Sequence, residues 1–144
     1  MGESLTKIVA DNGKYLCRVT VEFEDDEGGN EKYIAETIQA SKRTPDASCV
    51  FKVESRPGNP VVLKADNGKF LCREDHEEDF QPIEAHWSWP DAACHFKFLK
   101  QSDSTVVLQA DNGKYLSRAR REGIDLIIAN KDTIDATCKF TWQF

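Results

Sequence analysis

The chain has 144 residues and a formal net charge of −6, a length that predicts one domain spanning residues 1–144 with a hydrophobic core of its own. The negative charge argues against binding to nucleic acid or to an anionic membrane surface, because both require a positive face on the protein. No apolar run approaches the roughly 20 residues that cross a bilayer, so we expect no membrane insertion by this domain.

Two sequence segments recur three times in a fixed order. The first, an Asp-Asn-Gly-Lys turn followed by an aromatic residue and leucine, stands within residues 10–18, 65–73 and 110–118. The second runs from Ile-x-Ala through Asp-Ala to Cys-x-Phe and occupies residues 38–51, 83–96 and 127–140. Such self-similarity divides the chain into three repeats, at about 5–60, 61–105 and 106–144.

Each repeat opens with two short strands on either side of the Asp-Asn-Gly turn. Asn and Gly both tolerate the positive φ of a tight turn, so this pattern predicts a β-hairpin. In the second repeat, alternation places Leu63 and Ala65 on one face, and Leu71 joins them from the returning strand.

The Ile-x-Ala segment predicts a third strand, and the Cys-x-Phe segment a fourth. No stretch has the periodicity of a helix, and Gly, Pro, Asn and Asp interrupt the chain often. Twelve strands in units of about 45 residues predict an all-β protein, a β-trefoil of three four-stranded repeats with pseudo-threefold symmetry. A β-propeller is the alternative for repeats of this size, but propellers typically have at least four blades. The predicted core layers are Phe51, Phe96 and Phe140, and Ile38, Ile83 and Ile127.

The five cysteines occupy repeat-equivalent positions. This placement favours small buried hydrophobic groups over a disulfide framework, and the spacings match no zinc template. Reduced thiols and the lack of an apolar signal segment favour a cytoplasmic or nucleocytoplasmic location. The acidic stretch Glu24–Gly29 lacks the ligand spacing of a calcium loop, so we expect no metal and no cofactor.

The recurring Asn-Gly-Lys-(Tyr/Phe)-Leu, with the Ile-x-Ala and Asp-x-x-Cys-x-Phe segments, resembles the repeat of fascin-like β-trefoils across the whole chain. The segment Asp111–Ser117 is also similar to the agglutinin domain of amaranthin-type plant lectins. This resemblance implies either carbohydrate binding or, in the fascin group, actin bundling. The matching residues are turn and core residues, so the resemblance bears on fold more than on function. A single trefoil is shorter than the four-trefoil fascin plan, and bundling would require self-association.

The second repeat departs most from the threefold pattern. It has His86-Trp87-Ser88-Trp89 where the first repeat has Ser-Lys-Arg-Thr and the third has Asn-Lys-Asp-Thr. The polar counterparts predict an exposed loop, and exposed aromatic rings serve sugar recognition and protein contacts. We expect Trp87 to stack on a sugar ring while His86 and Glu84 bind its hydroxyl groups, with Trp89 as a further ligand-binding residue of the same loop. The alternative is that a tryptophan folds back to plug the end of the barrel.

The polar residues of the Asp-Asn-Gly turns form a second set of candidate ligand-binding residues, since lectin trefoils often carry one site per repeat. They are Asp66 and Asn67 in the second repeat and Asp111 and Asn112 in the third. The alternative is that the aspartates bond to the turn backbone and the Asn-Gly pairs only shape the turn.

Together these features predict a non-catalytic, lectin-like or agglutinin-like β-trefoil that binds a carbohydrate or glycoprotein. No catalytic triad, Cys-His pair or phosphate loop can be assembled, so we expect no enzyme. One rival is a fascin-like module that binds actin or another protein through the basic segment Arg118–Arg121. Another is a targeting domain of a larger pore-forming or defence protein. A homo-oligomer would add avidity to weak single sites.

Overall fold

The computed structural model describes residues 3–24 and 32–144. Within these ranges the chain forms twelve strands and three short 3-10 helices, which confirms the predicted number of strands. The strands are β1 Glu3–Val9, β2 Tyr15–Glu24, β3 Lys32–Lys42, β4 Phe51–Ser55, β5 Pro60–Lys64, β6 Phe70–Arg73, β7 Ile83–Trp87, β8 Phe96–Lys100, β9 Val106–Gln109, β10 Tyr115–Arg121, β11 Ile124–Lys131 and β12 Thr141–Gln143. The 3-10 helices are Ala47–Cys49, Ala92–Cys94 and Ala136–Cys138. No helix among the described residues has the length and apolarity needed to cross a membrane.

Six strands close a barrel and the other six cap it. In the barrel β1 pairs with β12 and β4, β4 with β5, β5 with β8, and β8 with β9. Backbone bonds of 2.8 and 3.0 Å between Val106 and Phe140 close the ring. The cap consists of the hairpins β2–β3, β6–β7 and β10–β11, which are joined around the axis by pairing of β3 with β7 and β11 and by a bridge from Pro82 to Ile128. This architecture is a β-trefoil.

The core repeats itself around the axis. Phe51, Phe96 and Phe140 are at most 1% exposed, as are Ile38, Ile83 and Ile127, so both predicted core layers are confirmed. Fully burying an aliphatic or aromatic side chain of this size contributes about 1.5–3 kcal/mol relative to leaving it exposed. The fold therefore requires the same large side chain at the same place in each repeat.

The Asp-Asn-Gly turns differ from the expected geometry in one respect. Only the glycine of each turn has a positive φ, of 79° at Gly13 and Gly68 and 81° at Gly113. The asparagine acts through its side chain instead. Asn67 Nδ2 donates to the carbonyl of Ala85 at 3.1 Å, and its Oδ1 accepts from the Lys69 N–H at 3.0 Å. The asparagine thus ties the turn to the Ile-x-Ala strand of its own repeat, and the other two repeats do the same.

Ion pairs between an arginine and an aspartate connect each repeat to the next in a closed cycle. The Arg18 guanidinium donates to Asp66 at 2.6 and 3.2 Å, Arg73 to Asp111 at 2.6 and 3.1 Å, and Arg118 to Asp11 at 2.6 and 3.0 Å. Bidentate hydrogen bonds between an arginine and a carboxylate are directional as well as strong. The hydrogen bond to the aspartate raises the pKa of each arginine, and the Arg73 bond lowers the pKa of Asp111.

The cysteines follow the prediction in burial but not in oxidation state. All five are buried, yet Cys72 and Cys94 form a disulfide that joins β6 to the 3-10 helix of the second repeat. The expectation of unpaired thiols throughout is therefore wrong for this pair, and Cys17, Cys49 and Cys138 are free. The Asp91 carboxylate lies within 4.8 Å of both bonded sulfur atoms, and its main role is to cap the helix by accepting from the Ala93 N–H.

Replacing Asp111 with asparagine removes one ionic link of the cycle, and we expect a loss of about 1 kcal/mol in the free energy of unfolding at neutral pH. Because the pKa of Asp111 is lowered from 3.8 in the folded state, its contribution is complete above that value and declines as the pH falls through the lower, folded-state pKa. Urea unfolding of both proteins across this range measures the difference.

Asp132→Asn is the control, because the Asp132 carboxylate pairs with Lys114 on an exposed surface and such pairs contribute little. An Asp111→Asn penalty that equals the control, or that does not shrink in acid, would contradict a structural role for the cycle.

Candidate functional site

The end of β7 and the loop that follows it present the two tryptophans to solvent. Trp87 is 40% exposed and Trp89 80% exposed, so neither plugs the barrel. The loop is held at its centre by Lys69, whose Nζ donates to Ser88 Oγ at 2.7 Å. The two rings therefore stand on a positioned loop at the edge of the second repeat.

Neighbouring polar groups orient Trp87. Its indole N–H donates to Glu74 Oε1 at 3.2 Å, and the His86 ring meets it edge-on with 5.9 Å between centroids. Glu84 lies on the same strand as His86, is largely buried and contacts His76 Nε2 at 3.3 Å. Glu74 and His86 thus contact Trp87, while Glu84 and His76 lie close enough to Glu74 to act on its charge. The predicted residues Glu84, His86 and Trp87 belong to one local cluster.

Glu74 is the electrostatically perturbed member of this cluster. Partial burial raises the pKa of its carboxyl group, and the nearby charge of Glu84 raises it further; His86, the Trp87 hydrogen bond and His76 act in the opposite direction. Sequence comparison did not select Glu74 as a site residue. The sequence feature that could have identified it is that Glu74 is charged, whereas the other repeats have the apolar residues Val19 and Ala119 at the equivalent position.

Asp91 is a further acceptor that the sequence analysis missed. At the position of Trp87 the other repeats have Lys42 and Lys131, which form ion pairs with the helix-capping residues Asp46 and Asp135. Because tryptophan replaces that lysine, Asp91 forms no ion pair with any described residue. One of its oxygens caps the helix at 2.9 Å from the Ala93 N–H, and the other accepts no hydrogen bond from the described chain. The sequence feature that could have identified Asp91 is the absence of this lysine from the second repeat.

The turn residues predicted as ligands are engaged by the fold. Asp66 and Asp111 accept from Arg18 and Arg73 in the cycle of ion pairs. Asn67 uses both its amide nitrogen and its oxygen within the structure, and Asn112 does the same at 3.1 and 3.0 Å. Their polar atoms therefore have structural partners. The asparagines shape the turn, as the alternative held, whereas the aspartates bind arginines of the preceding repeat, a partner that the alternative did not include.

The basic segment of the third repeat is also largely neutralised. Arg118 pairs with Asp11 and Asp125, and Arg120 pairs with the other oxygen of Asp125 at 3.0 Å. Arg121 donates to the backbone carbonyl of Asp79 at 3.2 Å. This segment does not present a row of unpaired cations.

The open end of the barrel carries a separate aromatic cluster. Phe98 meets Trp142 edge-on with centroids 5.1 Å apart, and Phe144 stacks on Trp142 at 6.0 Å. The Trp142 indole nitrogen is buried without a hydrogen-bond partner among the described residues. Polar residues of the loop after β8, Gln101, Ser104 and Thr105, lie beside Trp142 and Phe144. Phe144 is 74% exposed and lies outside the loop of residues 86–89, which makes it a suitable control position.

No protein-family model matches the sequence, and no curated protein matches it. Among solved structures, the designed threefold-symmetric β-trefoil ThreeFoil matches with a TM-score of 0.76 and 14% identity, covering 97% of this chain and 98% of that one. The SDF2-like protein from Arabidopsis thaliana matches with a TM-score of 0.72 and 15% identity, covering 99% and 92%. Cry35Ab1 matches with a TM-score of 0.70 and 13% identity over 96% of this chain but 35% of its own. At these identities the likeness establishes the β-trefoil fold alone.

The contact between Glu74 and Trp87 predicts a pH-dependent change in tryptophan emission. Protonation of Glu74 removes the charge that the indole N–H binds, so we expect a transition with a midpoint above 4.5, the ordinary pKa of the group. Because the pKa of Glu74 is raised in the folded state, the free energy of unfolding falls, relative to that of Glu74→Gln, as the pH rises from 4.5 through the folded-state pKa. Fluorescence titration of the folded protein measures the midpoint.

Two variants assign the transition. Trp89→Phe should retain it, and Glu74→Gln should abolish it because glutamine does not titrate. A midpoint at or below 4.5, or a transition that survives Glu74→Gln, would show that Glu74 does not control the environment of Trp87.

Proposed function

We propose that this β-trefoil is a non-catalytic carbohydrate-binding module whose site is the aromatic loop of the second repeat, residues 86–89. The observation that carries the proposal is the exposure of Trp87 and Trp89, 40% and 80%, at positions where the other repeats have lysine and threonine. Exposed tryptophan has an unfavourable contact with water and no role in the repeated scaffold. A binding partner that covers the rings accounts for both facts.

The groups around the rings suit a saccharide. A pyranose has apolar C–H faces, which stack on an indole, and hydroxyl groups, which require charged or polar acceptors. Glu74, Glu84 and Asp91 are acceptors of this kind, and hydrogen bonds to charged groups are stronger than neutral ones. The bond from the Trp87 N–H to Glu74 at 3.2 Å fixes the ring before binding, which reduces the entropy lost when a ligand stacks on it.

A single site of this kind is expected to bind weakly. It is shallow and exposed, and a Kd near 1 mM corresponds to only about −4 kcal/mol. Avidity would come from self-association, which places several copies of the site on one glycosylated surface. We therefore expect a glycoprotein or a dense glycan to bind better than a free monosaccharide.

The rival function, a fascin-like module that binds actin, depends on the basic segment of the third repeat. Arg118 and Arg120 are paired with aspartates of the same chain, and screening by salt would further weaken any long-range attraction to an acidic filament. The resemblance to fascin-like and amaranthin-type proteins, and a role as the targeting domain of a larger defence protein, stay predictions. So does a cytoplasmic location, although the Cys72–Cys94 disulfide weakens the argument from reduced thiols.

A glycan array probed with the purified protein tests the proposal, followed by titration of any hit against variants. We expect Trp87→Ala combined with Trp89→Ala to reduce binding at least tenfold, because truncating the central aromatic residues of a site typically costs 2 kcal/mol or more. The matched control is Phe144→Ala, which removes an exposed aromatic ring from the opposite, open end of the barrel and should leave binding unchanged.

Binding that survives the double tryptophan variant would exclude the aromatic loop as the site. An array without hits, combined with salt-sensitive co-sedimentation with actin that Arg120→Glu abolishes, would favour the fascin-like alternative.

A further inference from the structure

A cavity of about 390 Å³ lies in the cap, on the pseudo-threefold axis, and is lined by residues from all three hairpins. Its volume falls within the range of roughly 300–1,000 Å³ that is usual for small-molecule sites. None of the tryptophans of the aromatic loop lines it.

The cavity exists because the three hairpins differ in length. The first, β2–β3, and the third, β10–β11, extend past the level at which the second stops, since β6 ends at Arg73 and β7 begins at Ile83. Three equal hairpins would fill the space around the axis. Here the loop 74–82 leaves it open on one side, where Phe80 of that loop becomes part of the wall.

A largely buried side chain with an unpaired acceptor atom lies on the cavity wall. Gln39 is only 7% exposed and lines the cavity. Thr37 Oγ1 donates to the Val19 carbonyl at 2.8 Å, so it can only accept from Gln39, and the Gln39 amide Nε2 donates to it at 2.9 Å. The Gln39 Oε1 atom is left without a donor among the described residues. The Oε1 atom is not fully enclosed by the protein, so a ligand carrying an N–H group can donate to it from the cavity.

The remaining lining combines apolar walls with an acidic rim. Phe80, Ile124 and Leu126 contribute apolar surface. Glu77, Asp79 and Glu122 also line the cavity, and their carboxylates form no ion pair or hydrogen bond with any residue in the described ranges.

Arg121, the one cation among the described residues of the lining, is already engaged. Its guanidinium donates to the Asp79 backbone carbonyl at 3.2 Å and lies 5.6 Å above the Phe80 ring. Among the described lining residues, three carboxylates therefore face one arginine, which favours a positively charged occupant.

From the unpaired Gln39 acceptor, the apolar walls and the acidic rim, we propose that the axial cavity is a second binding site, specific for a small organic amine with an apolar body. The ammonium group donates to Gln39 Oε1 and is attracted by the acidic rim, while the apolar part of the ligand packs against Phe80, Ile124 and Leu126. The site is independent of the carbohydrate proposal, because it shares no residue with the aromatic loop.

Titration of the 15N-labelled protein with 2-phenylethylamine, followed by NMR, tests this directly, with 2-phenylethanol and 3-phenylpropanoate as neutral and anionic analogues of similar shape. We expect saturable shifts centred on Gln39, Phe80 and Leu126 with the amine only, and weaker binding at higher salt. In Glu77→Gln combined with Asp79→Asn, the affinity should fall by roughly tenfold.

The matched control is Glu78→Gln, which removes an adjacent exposed carboxylate that does not line the cavity and should leave the affinity unchanged. Trp87→Ala combined with Trp89→Ala should also leave it unchanged, which separates this site from the carbohydrate site. Equal binding of the alcohol and the amine, shifts centred away from the cavity, no saturable shift with the amine, or an affinity insensitive to the rim substitutions would each overturn the proposal.

Discussion

Burial of one phenylalanine and one isoleucine per repeat around a common axis is the constraint on which the structure depends. Phe51, Phe96 and Phe140 meet there from three copies of the same unit, fully excluded from water. Apolar burial of this kind is the main driving force for folding, and three units can share an axis only if each supplies the same shape. The Arg-Asp cycle then links each repeat to its neighbour. Positions that agree among the repeats are therefore explained by the fold.

Positions that differ among the repeats are free of this constraint, and both proposed sites lie there. Trp87 replaces a lysine that elsewhere pairs with the helix-capping aspartate, which exposes an aromatic ring and frees Asp91 in one substitution. The short second hairpin opens the axial cavity beside Gln39, whose counterparts are Glu84 and Ile128. A symmetric scaffold thus carries two asymmetric surfaces, one at its edge and one on its axis.

The sequence predicted what depends on repetition and alternation, namely the strands, the core layers and the exposure of the aromatic loop. It did not predict contacts that depend on how separate segments meet. The Cys72–Cys94 disulfide requires β6 to lie against a 3-10 helix, and the conformation of Asn67 depends on a carbonyl in another strand. Glu74 and Asp91 were missed for the same reason. The role of Glu74 follows from its contact with Trp87, and that of Asp91 from the absence of the lysine that pairs with its counterparts in the other repeats. The axial cavity depends on the relative lengths of three hairpins and on pairing between repeats, which local patterns do not specify.

Exchange of the aromatic loop for its counterpart in the first repeat tests most directly whether the departures from symmetry carry the function. The variant combines His86→Ser, Trp87→Lys, Ser88→Arg and Trp89→Thr, and so restores a lysine opposite Asp91. Thermal unfolding and glycan binding are then measured on the same preparation. We expect the unfolding midpoint to be unchanged or raised, with glycan binding lost. Retained binding, or a protein that no longer folds, would contradict the assignment of this loop to function and of the shared positions to the fold.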